Sequence, residues 1–167
     1  VFASSQAHLY AVVDPHEESA LSFAKDYRCK VYGSSEEALR DPKIDAVMII
    51  SATNTHADLI IESARAKKAI FCEKPIDLDL DRIDDCLAVL EETKVPFLLG
   101  FNRRFDPSFR ALQEKLKNKT IGKLENLSIT SRDNPVPSIS YLRSSGGMFR
   151  DMTIHDFDMA RWLLDEE

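Results

Sequence analysis

Glycine is scarce in this chain. The five glycines of the 167 residues, Gly33, Gly100, Gly122, Gly146 and Gly147, nowhere form the G-x-G-x-x-G turn that cradles a pyrophosphate. A glycine-rich phosphate loop is therefore excluded from these residues. Cysteine is scarce too: Cys29, Cys72 and Cys86 lack metal-ligand spacing, and an odd count with no framework predicts free thiols in a reducing compartment. Positive charge is in deficit, with 22 Lys and Arg against 28 Asp and Glu, a net charge of -6. Lys67-Lys68 and Arg103-Arg104 are the only adjacent basic pairs, so no surface is expected to neutralise nucleic-acid phosphates. No apolar run approaches membrane-spanning length and no signal-peptide pattern is present, which predicts a cytoplasmic protein with no membrane partner.

What the chain has is an alternation of short apolar runs with amphipathic stretches. Residues 9–13 are a nearly continuous apolar run closed by Asp14-Pro15, the pattern of a strand buried on both faces. Residues 16–27 put Ala20, Leu21, Phe23, Ala24 and Tyr27 at helical spacing, and Val31-Tyr32 is a minimal strand. Ser34 precedes Glu37 by three, a capping-box signature for a short helix ended by Asp41-Pro42. Residues 46–50 are the clearest buried strand, followed by a polar turn and a helix over 56–68 through Leu59, Ile60, Ser63 and Ala64. A strand over 69–72 runs into Glu73-Lys74-Pro75. A helix over about 79–94 places Leu80, Ile83, Leu87 and Leu90 on one face, and residues 97–99 are the next strand.

Strands alternating with helices over 9–100 require βαβ crossovers, hence an α/β unit with a parallel sheet and helices on both faces. Ligands of such sheets gather outside the carboxyl ends of the strands. Those ends are Asp14, residues 51–56, residues 73–75 and residues 100–104. After Gly100 the pattern changes to that of an α+β unit. Pro107 opens a helix to about Asn118, and residues 124–132 alternate through Leu124, Leu127 and Ile129 as a strand with one exposed face. A proline-rich loop over 134–137 leads to Tyr141 and the Gly146-Gly147 hinge.

Beyond that hinge, a single helix would carry Asp151 and His155 on one face, four residues apart, with Met152, Met159, Trp162 and Leu163 anchoring it. An imidazole held beside a carboxylate is what proton transfer near neutral pH requires. Lys74, at a strand end with Glu73 beside it, could polarise an oxygen on which charge develops. Asp14 stands where nucleotide-binding folds hydrogen-bond a ribose diol, or else merely breaks its strand before the helix. Residues 53–56 either meet a nicotinamide or ribose, or serve only as a helix cap.

Taken in order, Glu73-Lys74-Pro75, then residues 100–106 (Gly-Phe-Asn-Arg-Arg-Phe-Asp), then Gly146-Gly147 through Asp151, His155, Asp156 and Asp158, resemble the Gfo/Idh/MocA family of sugar and polyol oxidoreductases. Within it the likeness is nearest to the myo-inositol 2-dehydrogenase group. The resemblance implies a partial Rossmann-type dinucleotide-binding domain over 1–100 and a partial α+β catalytic domain over 101–167 that binds substrate and pairs subunits as a homo-oligomer. It implies NAD as cofactor, near Asp14, Ser51, Thr53, Asn54, His56, Glu73, Lys74 and Asn102. It also implies Lys74, Asp151 and His155 as the catalytic set, substrate contacts from those three and Arg103, a cis Lys74–Pro75 bond, and no metal.

The family places its glycine loop about 20 residues before the ribose-binding acid, and only thirteen residues precede Asp14. The expectation is a portion of a longer enzyme, with the first strand and loop before Val1 and much of the second sheet after Glu167. Such a piece is expected to bind NAD negligibly by itself. Two other readings differ in class. One is a non-catalytic binding or dimerisation protein that has lost its cofactor. The other is a metal-dependent hydrolase using His155-Asp156, for which His8, His16 and His56 lie on distant elements.

Overall fold

The computed structural model describes residues 5–132 and 134–165; residues 1–4, 133, 166 and 167 lie outside it. The elements run β1 (Ala11–Val12), α1 (Glu17–Tyr27), β2 (Lys30–Val31), α2 (Ser35–Arg40), β3 (Ala46–Ile49), α3 (His56–Arg65), β4 (Ala69–Cys72), α4 (Leu80–Thr93), β5 (Phe97–Leu99), α5 (Pro107–Lys117), α6 (Ile139–Ser144), α7 (Met148–Asp151) and α8 (Thr153–Leu164). Single 3-10 turns at Thr53–Thr55 and Asn102–Phe105 precede α3 and α5. All strand pairs are parallel. β1 pairs with β2, and β3, β4 and β5 form a second ladder in that order.

Local sequence explains most of the boundaries. Ser34 caps α2 by accepting the Glu37 N–H at 3.2 Å. Asp79 caps α4 through the Asp81 N–H, and Asp106 caps α5 through Ser108 and Phe109, with Pro107 in the first turn. Arg28 and Lys94 end α1 and α4 in the left-handed conformation.

The core lies between the three-stranded sheet and α3 with α4. Val47, Ile70 and Phe97 are in register, as are Ile49, Cys72 and Leu99, and these six face Ala57, Ile60, Ala64 and Cys86. Ile60 is fully buried, and burial of such a side chain is worth about 2–3 kcal/mol. Two sequence expectations change here. The sheet expected to carry helices on both faces is covered on one: β3 and β5 alternate, leaving Met48 at 51% and Leu98 at 49% exposure. Among the described residues α3 and α4 cover only the opposite face. On α4 the inward stripe is Ile83, Cys86, Val89 and Leu90, while Leu80 and Leu87 turn outward. The small Cys86 lets α4 approach α3, with its thiol 3.5 Å from the Ala57 carbonyl.

The second unit departs further. Residues 124–132 form no strand, because no neighbouring strand among the described residues supplies ladder partners. Between the proline-rich loop and Gly146, where the sequence pattern assigns no element, lies α6, capped by Ser138. The helix expected to carry both Asp151 and His155 is broken at Met152 into α7 and α8.

Candidate active site

Lys74 leaves the carboxyl end of β4 in the segment whose Lys74–Pro75 peptide is cis, as the family likeness implies. Its ammonium crosses to α7, where Nζ donates to the Asp151 carbonyl oxygen at 2.6 Å and to Asp151 Oδ1 at 2.8 Å. That capture explains the broken helix. The Asp151 carbonyl is the one a continuous helix would offer to the His155 N–H. With Lys74 on it, the His155 N–H bonds the Met152 carbonyl at 3.2 Å, a tighter turn. The Gly146-Gly147 hinge admits the geometry, with φ of +80° and +84°. A Cβ on Gly146 would collide with Leu78, so this loop sits directly against the segment that follows Pro75.

His155, in the first turn of α8, is half-buried, edge-on to Phe101 with ring centroids 6.2 Å apart. Its Nδ1 is buried without a hydrogen-bond partner. Burial lowers its pKa from the ordinary histidine value, and the charges of Lys74 and then Arg103 lower it further against the pull of Asp158 and Glu73. The ring is therefore neutral at neutral pH. For Asp151, burial pushes the pKa up, but hydrogen bonds from Lys74 and Tyr141 outweigh it and the carboxyl stays below its ordinary value. A neutral imidazole thus stands beside an ionised carboxylate that grips an amine.

Arg103 pairs with Asp156, whose Oδ1 also accepts the Ser131 hydroxyl at 2.7 Å. Arg104 grips Asp158 with two prongs, Nε to Oδ2 at 3.0 Å and Nη2 to Oδ1 at 2.8 Å. This pair, the Ser131 contact and the Tyr141 hydroxyl on Asp151 were not legible from spacing. The available signal was the adjacent Arg103-Arg104 pair matched by Asp156 and Asp158.

The residues expected near a cofactor lie at the strand ends but are not equivalent. Asp14 is exposed after β1, its Oδ1 accepting the His16 N–H at 2.8 Å. Asn54 and Asn102 are exposed in their 3-10 turns, and Thr53 is half-buried. Ser51 Oγ lies 2.6 Å from Thr55 Oγ1. The Glu73 carboxylate packs on Gly100, where a Cβ would come within 2.9 Å of Oε2. His56 is placed differently from the others: it is 1% exposed, and its ring nitrogens meet the Pro75 carbonyl at 2.8 Å and the Ser51 carbonyl at 3.0 Å. It ties the β3 and β4 exits together. Carboxylates, hydroxyls and amides thus gather at the strand ends, and the unpartnered His155 Nδ1 is a polar atom of the kind that a bound hydroxyl or carboxamide completes.

Other chemistries find less support. Burial pushes the Cys72 thiol up to about 12 and the Cys86 thiol to about 11, so neither is a ready nucleophile. Among the described residues no group of three or more His, Cys, Asp or Glu side chains is placed to hold a metal, and no helix is long and apolar enough to cross a membrane.

Comparison with known proteins matches this arrangement along the whole chain. Residues 1–101 match the oxidoreductase family with an NAD-binding Rossmann fold, and residues 109–167 match the GFO/IDH/MocA C-terminal domain. The inositol 2-dehydrogenase of Rhizobium meliloti is 52% identical over 100% of this chain, and the myo-inositol 2-dehydrogenase of Thermotoga maritima is 46% identical over 96%. The chain spans about half the length of these relatives, 50% and 48%. Among solved structures, a myo-inositol dehydrogenase from Corynebacterium glutamicum superposes with a TM-score of 0.91 at 41% identity, over 96% of this chain and 48% of its own. A scyllo-inositol dehydrogenase from Lactobacillus casei with bound NAD(H) and scyllo-inositol gives 0.83 at 31% identity, over 98% and 50%. An α/β unit with parallel ladders, a lysine at the end of β4 and a carboxylate–imidazole pair beyond the glycine hinge thus place this chain in the Gfo/Idh/MocA oxidoreductase family.

Proposed function

We propose that the chain serves an NAD-dependent dehydrogenase acting on a ring hydroxyl of inositol or a related polyol or sugar, with Lys74, Asp151 and His155 as its catalytic set. The observation that carries this reading is the double grip of Lys74 Nζ on Asp151, beside a neutral, half-buried His155. A nicotinamide held at the strand ends would supply the redox chemistry, as the hydride acceptor for the carbinol carbon. The protein supplies position and proton transfer. His155 takes the hydroxyl proton, for which its depressed pKa keeps it ready. Two of the three Lys74 donors are spent on Asp151, leaving one to stabilise charge developing on the substrate oxygen. Asp151 stays ionised and fixes that amine.

Division into a cofactor unit over 1–100 and a catalytic unit over 101–167 is supported by the change of element pattern after β5. Around the cofactor, Asp14 would meet the adenosine ribose, and Ser51, Thr53, Asn54, Glu73 and Asn102 would line its path. His56 would act behind them as the buried brace of that rim. Arg103 would reach substrate while held by Asp156. A homo-oligomer assembled through the second unit, no nucleic-acid partner and a cytoplasmic location complete the reading, the last two supported by the net charge of -6 and the free cysteines. The test is a panel of polyols and sugars offered to the full-length protein with NAD or NADP, followed by absorbance of the reduced nicotinamide. Oxidation of a cyclitol with NAD is the expected result. Turnover of none of the panel would overturn it.

A further inference from the structure

We infer that Tyr141 is a positioning residue of this site: its phenol hydrogen-bonds the Asp151 carboxylate and fixes the orientation in which that carboxylate holds the Lys74 ammonium. The Tyr141 hydroxyl lies 2.8 Å from Asp151 Oδ1, the same oxygen that accepts Lys74 Nζ at 2.8 Å. Two donors on one oxygen pin the carboxylate against rotation and keep Lys74 on a single approach. The phenol suits this task because it is a neutral donor at physiological pH. It orients the carboxylate without competing as a second cation, which an arginine or lysine in its place would do.

Tyr141 is itself held. Its N–H donates to Ser138 Oγ at 3.3 Å, while its carbonyl accepts the Ser145 N–H at 2.9 Å and the Ser144 hydroxyl at 3.1 Å. The short helix α6 is thus clamped at both sides of the tyrosine, and Ser145, buried at 6% exposure, seats its end next to the glycine hinge. Tyr141 is 47% exposed, so packing alone does not explain its placement. Three groups act on the Asp151 carboxylate from separate elements: Lys74 after β4, Tyr141 on α6 and His155 on α8. Of these, Tyr141 is the one with no direct step in the proposed reaction.

The kinetic consequence rests on the dehydrogenase reading; the link from Tyr141 to Asp151 does not. The test is Tyr141→Phe in the full-length protein, which keeps the ring and deletes one hydrogen bond. Two measurements are made. The first is titration of the Asp151 carboxyl carbon by nuclear magnetic resonance, where loss of the phenol donor is expected to move the midpoint upward. The second is steady-state kinetics with a polyol deuterated at the reacting carbon. There kcat is expected to fall about tenfold, the scale of one hydrogen bond to a charged group. The polyol KM and the NAD dissociation constant stay within about twofold, and the isotope effect on kcat grows, because the lost interaction matters only during hydride transfer. An unmoved Asp151 midpoint overturns the inference whatever the activity. So does an unchanged kcat with a shifted midpoint, or a loss shared by KM and NAD binding. A shifted midpoint in a protein that oxidises no polyol even before substitution removes the dehydrogenase reading and leaves the Tyr141–Asp151 link standing.

Discussion

Lys74 Nζ sits 2.6 Å from the carbonyl oxygen of Asp151 and 2.8 Å from its carboxylate, across 77 positions of sequence. One side chain thereby ties the β4 exit to α7 and interrupts the helix there, because the carbonyl it occupies is withdrawn from the helical ladder. His155 is left at the start of a fresh helix, next to the amine and not one turn along a continuous rod. The arrangement places three groups of different charge within one cleft at the end of β4.

A second cross-link beside the site is structural. Arg104 holds Asp158, which is buried at 8% exposure on α8, through both carboxylate oxygens. Removing the arginine leaves a buried anion, so Arg104→Ala is expected to cost about 3 kcal/mol, the low end for breaking a buried pair since Arg104 keeps partial exposure. Urea unfolding of the full-length protein measures it. The double variant Arg104→Ala with Asp158→Ala should recover part of the loss, as no charge is then stranded. A single variant as stable as the parent would show the pair to be dispensable.

On the proposed function, the state of His155 sets the low-pH side of activity. Its pKa lies below the ordinary histidine value, so the neutral, proton-accepting ring persists into mildly acidic solution and kcat/KM falls only once pH drops through that lowered value. The charges acting on the ring include Lys74 and Arg103, which lower its pKa, and Asp158 and Glu73, which raise it, while Asp151 and Asp156 also interact with it. Arg103→Gln removes one lowering charge and also frees the Asp156 carboxylate that Arg103 now neutralises. Both changes favour the protonated ring. The acidic limb of the kcat/KM profile is expected to move to higher pH, and a limb that stays or moves lower contradicts the assignment of His155 as base.

On the proposed function, cofactor choice turns on Asp14. Its Oδ1 already anchors the His16 N–H in a tight turn, so a plain truncation would disturb the entry to α1 as well as any ribose contact. Asp14→Asn keeps the acceptor and removes the charge. It is expected to improve NADP binding relative to NAD, while Asp14→Ala weakens NAD by about tenfold, the scale of a hydrogen bond to a charged group. Calorimetric titration with both dinucleotides decides. A parent protein that already prefers NADP would end the ribose role for Asp14.

What could be read from the sequence was local. The apolar runs located all five strands, the Ser34–Glu37 spacing located α2, and the Asp106-Pro107 pair located the start of α5. These features depend on residues within a turn of one another. The inward stripe of α4 was misplaced because Leu80 and Leu87 are as apolar as their neighbours, and only packing against α3 selects Cys86. Residues 124–132 alternate without forming a strand, because alternation describes a surface that can pair, and pairing needs a neighbour that the described residues do not supply. The motifs named Lys74, Asp151 and His155. They gave no sign that the Lys74 amine would take the Asp151 backbone carbonyl, or that Tyr141 would share its carboxylate, since both are tertiary contacts between elements of different register.

The most direct measurement is turnover of the full-length protein with NAD and its best polyol, compared with Lys74→Ala and His155→Ala. Each substitution is expected to lower kcat by at least about a hundredfold, the scale for loss of a general acid or base. Thermal unfolding should change little for His155→Ala, whose side chain lies outside the core between the sheet and α3 with α4, while Lys74→Ala also releases Asp151 and should lower the midpoint without abolishing the fold. Near-normal turnover in either variant, with the fold intact, would contradict the assignment.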